Sequence, residues 1–211
     1  MVSAQLRHVA KVNKLRVGLT GGIASGKTLV AAMLEVCGAP VAFADGMARG
    51  LMERPGPVRD QLVALLGVGA YTQEGKLDRP ALGRRLFDDP QLLEAVNRIV
   101  HPAVGDAARA WHESANPPCN YTVYESALLF ETGAAAQFDV VVLVHAPMGQ
   151  RLERAIARDN TDADQVRARM EAQWSDEQRL AQHAYVILND GSRSLVQQVH
   201  ALHRTLVERR G

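Results

Sequence analysis

The apolar run Leu15 to Thr20 leads directly into Gly21-Gly22-Ile23-Ala24-Ser25-Gly26-Lys27-Thr28, and a stretch of helical period, Leu29 to Val36, follows. The eight residues fit G-x-x-x-x-G-K-[ST] between a strand and a helix, the setting that gives this pattern its meaning. Glycines let successive backbone N–H groups converge on phosphate oxygens, and the start of a helix adds a fixed positive dipole. Gly22, Ile23, Ala24, Ser25, Gly26, Lys27, Thr28 and Leu29 are therefore the expected nucleotide contacts. Lys27 is expected to reach the β- and γ-phosphates of a nucleoside triphosphate, and the Thr28 hydroxyl to ligate Mg²⁺. A strand-to-helix turn that binds nothing also needs flexible backbone. Such turns rarely carry the Lys-Thr pair in register, however, and the pattern is silent about any acceptor.

The rest of the chain alternates apolar runs with segments of helical period, the signature of a parallel sheet covered by helices. Strands are expected over Leu15 to Thr20, Pro40 to Phe43, Tyr121 to Tyr124, Phe138 to Val144 and Tyr185 to Leu188. Their near-continuous hydrophobicity suits strands buried on both faces. Helices are expected to start near Lys27, Asp45 and Arg79, and to run over Pro90 to Ser114, Met148 to Asp159, Ala163 to Trp174 and Arg193 to Arg209. About 75 residues separate the second and third strands, too many for one crossover, so a helical insertion is expected there. The fold class is α/β: a three-layer P-loop fold with a five-stranded parallel sheet. Its core is expected over 15–44, 121–150 and 184–211, the insertion over about 45–120, and a helical lid over about 151–183. Residues 1–14 are polar and basic, and read as an extension outside a single domain.

Charge narrows the partners. Lys+Arg of 24 against Asp+Glu of 23 leaves a net charge of +1, which gives no overall field for nucleic acid or an anionic membrane. Small molecules are expected instead, handled by a monomer or a small homo-oligomer. Only Lys11, Lys14, Lys27 and Lys76 of the basic residues are lysines, so the P-loop lysine is one of very few. Cys37 and Cys119 show no metal-ligand spacing and make no disulfide framework. With no transmembrane-length apolar run either, a reducing cytoplasm is the expected compartment.

Two further groups carry chemistry. Asp45 ends the second strand pattern, and is expected on a strand beside the P-loop strand, where a carboxylate can act as general base on a hydroxyl acceptor. Capping the next helix, with Arg49 as an i+4 partner, explains Asp45 equally well. Arg151, Arg154 and Arg158 recur at helical spacing, and Asn160-Thr161-Asp162 then breaks the helix before Arg167, Arg169, Met170 and Gln173. A hairpin with arginines facing a nucleotide is what a closing lid requires, and Arg154 and Arg158 are the preferred pair. A solvated helix pairing with Glu153, Asp159, Asp162 and Asp164 fits the same residues. Asn189 holds adenine or simply shapes the turn Asn189-Asp190-Gly191. Glu125 either lends acidity near Mg²⁺ or is a surface strand end.

Taken in order, several blocks resemble the dephospho-CoA kinase family of P-loop kinases. They are Gly18 through Thr28, Ala44-Asp45 with Ala48-Arg49, Gly75-Lys76-Leu77-Asp78-Arg79 with Leu82, His101-Pro102, Leu128-Leu129-Phe130-Glu131, and Gln150 to Asp159. The likeness runs from Leu15 to the C-terminal helix. It implies ATP as phosphoryl donor, Mg²⁺ as cofactor and dephospho-CoA as acceptor. It also implies that Asp45 acts on the ribose 3′-hydroxyl, that Arg49 and His101 lie in or near the substrate site, and that the insertion cradles the acceptor. The residues alone equally allow a salt bridge for Arg49 and a helix-kink histidine before proline for His101. A kinase for another nucleotide or nucleoside, or a nucleotide-binding regulatory protein without turnover, shares the P-loop. Departures from the family pattern stand at Phe43, Ala127, Ala24, Ala184 and Leu188.

Overall fold

The computed structural model describes residues 14–209, so the expected extension lies outside the described residues except for Lys14. In chain order the elements are β1 (Leu15–Thr20), α1 (Lys27–Val36), β2 (Val41–Phe43), α2 (Ala44–Glu53), α3 (Pro57–Leu66), α4 (Arg79–Asp88), α5 (Pro90–Ser114), β3 (Tyr121–Glu125), β4 (Val140–His145), α6 (Met148–Asp159), α7 (Ala163–Glu171), α8 (Asp176–Leu180), β5 (Tyr185–Leu188) and α9 (Leu195–Glu208). The five strands make one sheet in the order β2-β3-β1-β4-β5. The pairings of β1 with β3, β1 with β4 and β4 with β5 are all parallel.

The sheet order corrects one expectation. β2 is an edge strand, and β3, not β2, is the neighbour of β1 on that side. Periodicity finds a strand but not the strand it pairs with. The carboxylate at the end of the strand adjoining β1 is consequently Glu125, which lies level with Leu19.

By its contacts the chain divides into two compact units, Ala42–Ala115 and the remainder. In the larger unit β1 is central, and Val17, Leu19, Val123, Val142 and Val144 have no exposed surface. Burial of such side chains stabilises by roughly 1.5–3 kcal/mol each, which explains why these strands lack polar alternation. α1 and α9 pack on one another, and α8 lies against β4. Tyr121, fully buried on β3, is hydrogen-bonded through its hydroxyl to Nδ1 of His203 on α9 at 2.7 Å. That burial pushes the phenol well above its ordinary pKa.

The smaller unit is helical. α5 is its spine, with Val96, Val100 and Val104 buried at every fourth position, and α2, α3 and α4 pack on it. Asp89 starts α5 by accepting the N–H groups of Gln91 and Leu92, both at 3.0 Å. Asp78 caps α4 in the same way, through Ala81 at 3.0 Å. α3 was not among the expected helices, although Gly56, Pro57 at its first position and Val58, Leu62 and Leu66 on one face announce it.

Candidate active site

β1 delivers the chain into the loop, and Lys27 opens α1, so the loop lies at the positive end of that helix. Gly26 has φ +99°, and a Cβ there would strike the Asn189 side-chain nitrogen. Glycine is therefore required on both backbone and steric grounds. Lys27 is only 8% exposed and folds back over the loop, its Nζ donating to the carbonyls of Gly21 at 2.8 Å and Gly22 at 3.1 Å. Thr28 stands exposed at the mouth, one residue into the helix. Beneath the loop, the hydroxyls of Thr20 and Ser25 are buried with no hydrogen-bond partner among the described residues.

Two buried arginines flank the loop. Arg151, on α6, donates Nε to the Ala146 carbonyl at 2.9 Å and Nη2 to both carboxylate oxygens of Asp176 at 2.9 Å. Arg179, on α8, donates Nη2 to Glu131 Oε1 at 2.9 Å, and its Nη1 lies 3.7 Å from Asp176. Arg151 Nη1 crowds so closely over Gly22 that a Cβ there would collide with it, and Arg179 Nη1 would lie 3.2 Å from that Cβ. Lys27, Arg151 and Arg179 against Asp176 and Glu131 leave a net positive charge of one beside the loop. Buried arginine-carboxylate pairs of this kind hold guanidinium planes in fixed directions.

Arg154 and Arg158, the arginines expected on the lid, make the following contacts. Arg154 is exposed and donates Nη2 to Gln150 Oε1 at 3.1 Å and to the Asn189 carbonyl at 3.0 Å. Arg158 pairs with Asp159, Nε to Oδ1 at 2.7 Å, and Asp159 also accepts from Arg169 at 2.8 Å. These two arginines hold the Asp159 carboxyl well below the usual carboxylate range. The seven residues from Arg151 to Arg158 advance roughly 10 Å along α6, from the end at the loop to the far end of the hairpin.

Asn189 follows β5 and donates its side-chain amide to the Ser25 carbonyl at 2.8 Å, so it braces the P-loop from below. Gln150 ties the neighbouring turn by donating to the Asp190 carbonyl at 3.1 Å.

In the helical unit, Asp45 and Arg49 are exposed on α2 and His101 is exposed on α5. Asp45 lies in the first turn of α2 and does not cap it: the cap position belongs to Phe43, which makes no side-chain hydrogen bond. Pro102 lies inside α5 immediately after His101. Elsewhere in this unit Arg59 lies over the Tyr71 ring at 5.0 Å, and Arg79 pairs with Glu53 at 3.7 Å.

Sequence reasoning missed Arg179, Glu131 and Asp176 as site residues. Ser175 and Gln178 form a reciprocal capping box that starts α8, and S-x-x-Q was the signal that would have placed Arg179 on a helix of the lid.

No cluster of His, Cys, Asp or Glu among the described residues is arranged to hold a metal ion. A hydroxyl at the mouth of a phosphate loop is nonetheless the donor set of a magnesium that takes most of its ligands from the nucleotide and water.

The dephospho-CoA kinase family profile matches residues 15–194. Dephospho-CoA kinase from Bacteroides fragilis is 37% identical over 186 residues, covering 88% of this chain and 89% of that one. The Thermobifida fusca dephospho-CoA kinase is 42% identical over 178 residues, covering 84% and 88%. Among solved structures, TT1252 from Thermus thermophilus superposes with a TM-score of 0.80 at 33% identity, over 94% of this chain and all of that one. Dephospho-CoA kinase from Campylobacter jejuni superposes with a TM-score of 0.66 at 20% identity, a likeness of fold, over 92% and 97%. With its loop, its loop lysine and a match of this extent, the chain belongs to the dephospho-CoA kinase family.

Proposed function

We propose that this protein transfers the γ-phosphoryl group of ATP to the ribose 3′-hydroxyl of dephospho-coenzyme A, giving coenzyme A and ADP. The observation that carries the reading is Lys27 buried within its own loop, flanked by Arg151 and Arg179, in a chain of this family. The ammonium exchanges the Gly21 and Gly22 carbonyls for phosphate oxygens when ATP enters. The start of α1 and the loop amides face the same oxygens, while Asn189 keeps Ser25 and Gly26 in place beneath them. The 3′-oxygen attacks the γ-phosphorus, the bond from that phosphorus to the β–γ bridging oxygen breaks, and ADP leaves. The hydroxyl proton passes to Asp45. Most of the acceleration is positioning and fixed charge, as in phosphoryl transfer generally.

Thr28 is the residue that would hold Mg²⁺, which would offset the negative charge of the phosphates during transfer. Arg154 and Arg158 are assigned to the lid, where their guanidinium groups stabilise the charge developing on the transferring phosphoryl group. Arg49 and His101, on the helical unit, belong to acceptor binding. The reading places the enzyme among small metabolites of a reducing cytoplasm.

The test is ADP release from MgATP with dephospho-CoA, beside adenosine, AMP and cytidine as alternative acceptors and an Asp45→Asn variant. Dephospho-CoA is expected to be preferred, and the variant to lose at least about 10²-fold in turnover, the range for a positioned base. Phosphorylation of another acceptor in preference, or ATP binding with no acceptor phosphorylated, would overturn the reading.

A further inference from the structure

The lid hairpin touches the P-loop at a point that phosphate chemistry does not account for. Gln173, in the turn after α7, accepts the backbone N–H of Ile23 through Oε1 at 3.0 Å. Beside this bond, Ile23 and Ala24 pack against a small apolar cluster formed by Ala155 of α6 and Val166 and Met170 of α7. Ala24 has φ +57°, in the left-handed region that a residue with a Cβ rarely adopts. Such a residue persists only where its surroundings dictate it. Two things do so here: the preceding N–H is fixed by Gln173, and the Ala24 methyl lies against the cluster.

Gln173 is itself held. The next residue, Trp174, donates its backbone N–H to Glu131 Oε1 at 3.1 Å, and its ring stacks on Phe130 with centroids 6.2 Å apart. The backbone that carries the glutamine is thus pinned to the same carboxylate that orients Arg179. On the loop side, the chain turns at once after Ala24, with the Ser25 N–H donating to the Gly22 carbonyl at 3.1 Å, and then enters α1. A different peptide orientation at Ile23–Ala24 would re-aim the amides that follow.

We propose that Gln173 is a positioning residue for the nucleotide. By accepting the Ile23 N–H it holds the loop tip in its phosphate-receiving shape, and so ties affinity for the β-phosphate to the placement of the α6–α7 hairpin. This inference rests on the loop being the ATP site.

The experiment compares wild type with Gln173→Met, which keeps length and bulk but removes the strong acceptor, and with Gln173→Ala. Affinities for ADP and AMP are measured by calorimetry, and KM and kcat by ADP release. Loss of one net hydrogen bond corresponds to about 3–10-fold. ADP affinity and KM for ATP are expected to weaken by that factor in Gln173→Met, while AMP affinity, kcat, KM for dephospho-CoA and Tm stay within about twofold or a few degrees of wild type. ADP affinity unchanged in both variants, or ADP and AMP weakened alike with a lowered Tm, would overturn the inference while leaving the kinase reading intact. A wild type that binds no ADP would remove the kinase reading itself, and this inference with it.

Discussion

Arg179 donates Nη2 to Glu131 Oε1 at 2.9 Å with only 2% of the arginine side chain and 13% of the glutamate side chain exposed. The pair is not fully satisfied: Arg179 Nε and Glu131 Oε2 are both buried without a hydrogen-bond partner among the described residues. Breaking a buried pair by removing one member leaves the other charge stranded, at a cost of about 3–5 kcal/mol. Arg179→Met is expected to lower unfolding free energy by roughly that amount in urea titrations. The double variant Arg179→Met, Glu131→Leu is expected to recover at least half of the loss, because no charge then remains unpaired. It should stay catalytically impaired, with the cation beside Gly22 gone. A double variant no more stable than the single one would show that losing the Glu131 bond to the Trp174 N–H outweighs the relief of its stranded charge.

Lys27 makes two hydrogen bonds to loop carbonyls and is nearly buried, so its removal affects both loop and chemistry. Lys27→Met is expected to reduce kcat by about 10²–10³-fold, the scale for losing one fixed donor at the transferring group. The far-ultraviolet circular dichroism should match wild type. An activity loss below tenfold would mean that the arginines carry the phosphate charge without the lysine.

Ala24 offers a backbone test. Its left-handed conformation costs roughly 1–2 kcal/mol. Glycine would relieve that cost, but gives back about 0.4–1 kcal/mol through the freer unfolded chain and loses a partly buried methyl. Ala24→Gly is therefore expected to be neutral or stabilising by less than about 1 kcal/mol in thermal melts. Ala24→Val, β-branched at the same φ, is expected to destabilise by about 2 kcal/mol or more. Equal behaviour of the two variants would show that the loop tip does not hold this conformation in solution.

Asp159 joins Arg158 and Arg169 at the far end of the hairpin, and those two arginines depress its pKa. A carboxylate with a lowered folded-state pKa contributes stability above its unfolded value and loses it as pH falls toward the folded one. The Tm difference between wild type and Asp159→Asn is expected to be present at pH 7 and to shrink below about pH 4, the unfolded carboxylate range. The pair is exposed, so the difference should be small and should fall further in high salt. A difference that grows on acidification would contradict the assigned partners.

The loop was legible because its chemistry is local: strand, glycines, lysine and helix lie within one short stretch. The core strands were legible for a related reason, since burial on both faces writes itself as unbroken apolar runs such as Val140 to Val144. Adjacency was not legible. Nothing within β2 says that β3 intervenes between it and β1, because that depends on crossovers made by later residues. The lid arginines show the same limit. Helical spacing puts Arg151 and Arg158 on one arc of α6, but only the packing of that helix decides which end meets the loop. Arg179 escaped notice because α8 is only five residues long, too short for a period to appear.

β1 is the first strand among the described residues, and both strands that flank it, β3 and β4, come after the entire helical unit. During synthesis the chain must emerge through Glu125 before β1 gains its first neighbour, and through His145 before it gains its second. Until then an apolar strand has no partner edge, so folding of this sheet is governed by distant contacts and is slow compared with the helices around it. The phosphate loop inherits that delay. A nascent or truncated chain can carry the complete Gly21-to-Thr28 motif and still lack a working nucleotide site, which makes nucleotide binding a late marker of completed folding in this protein.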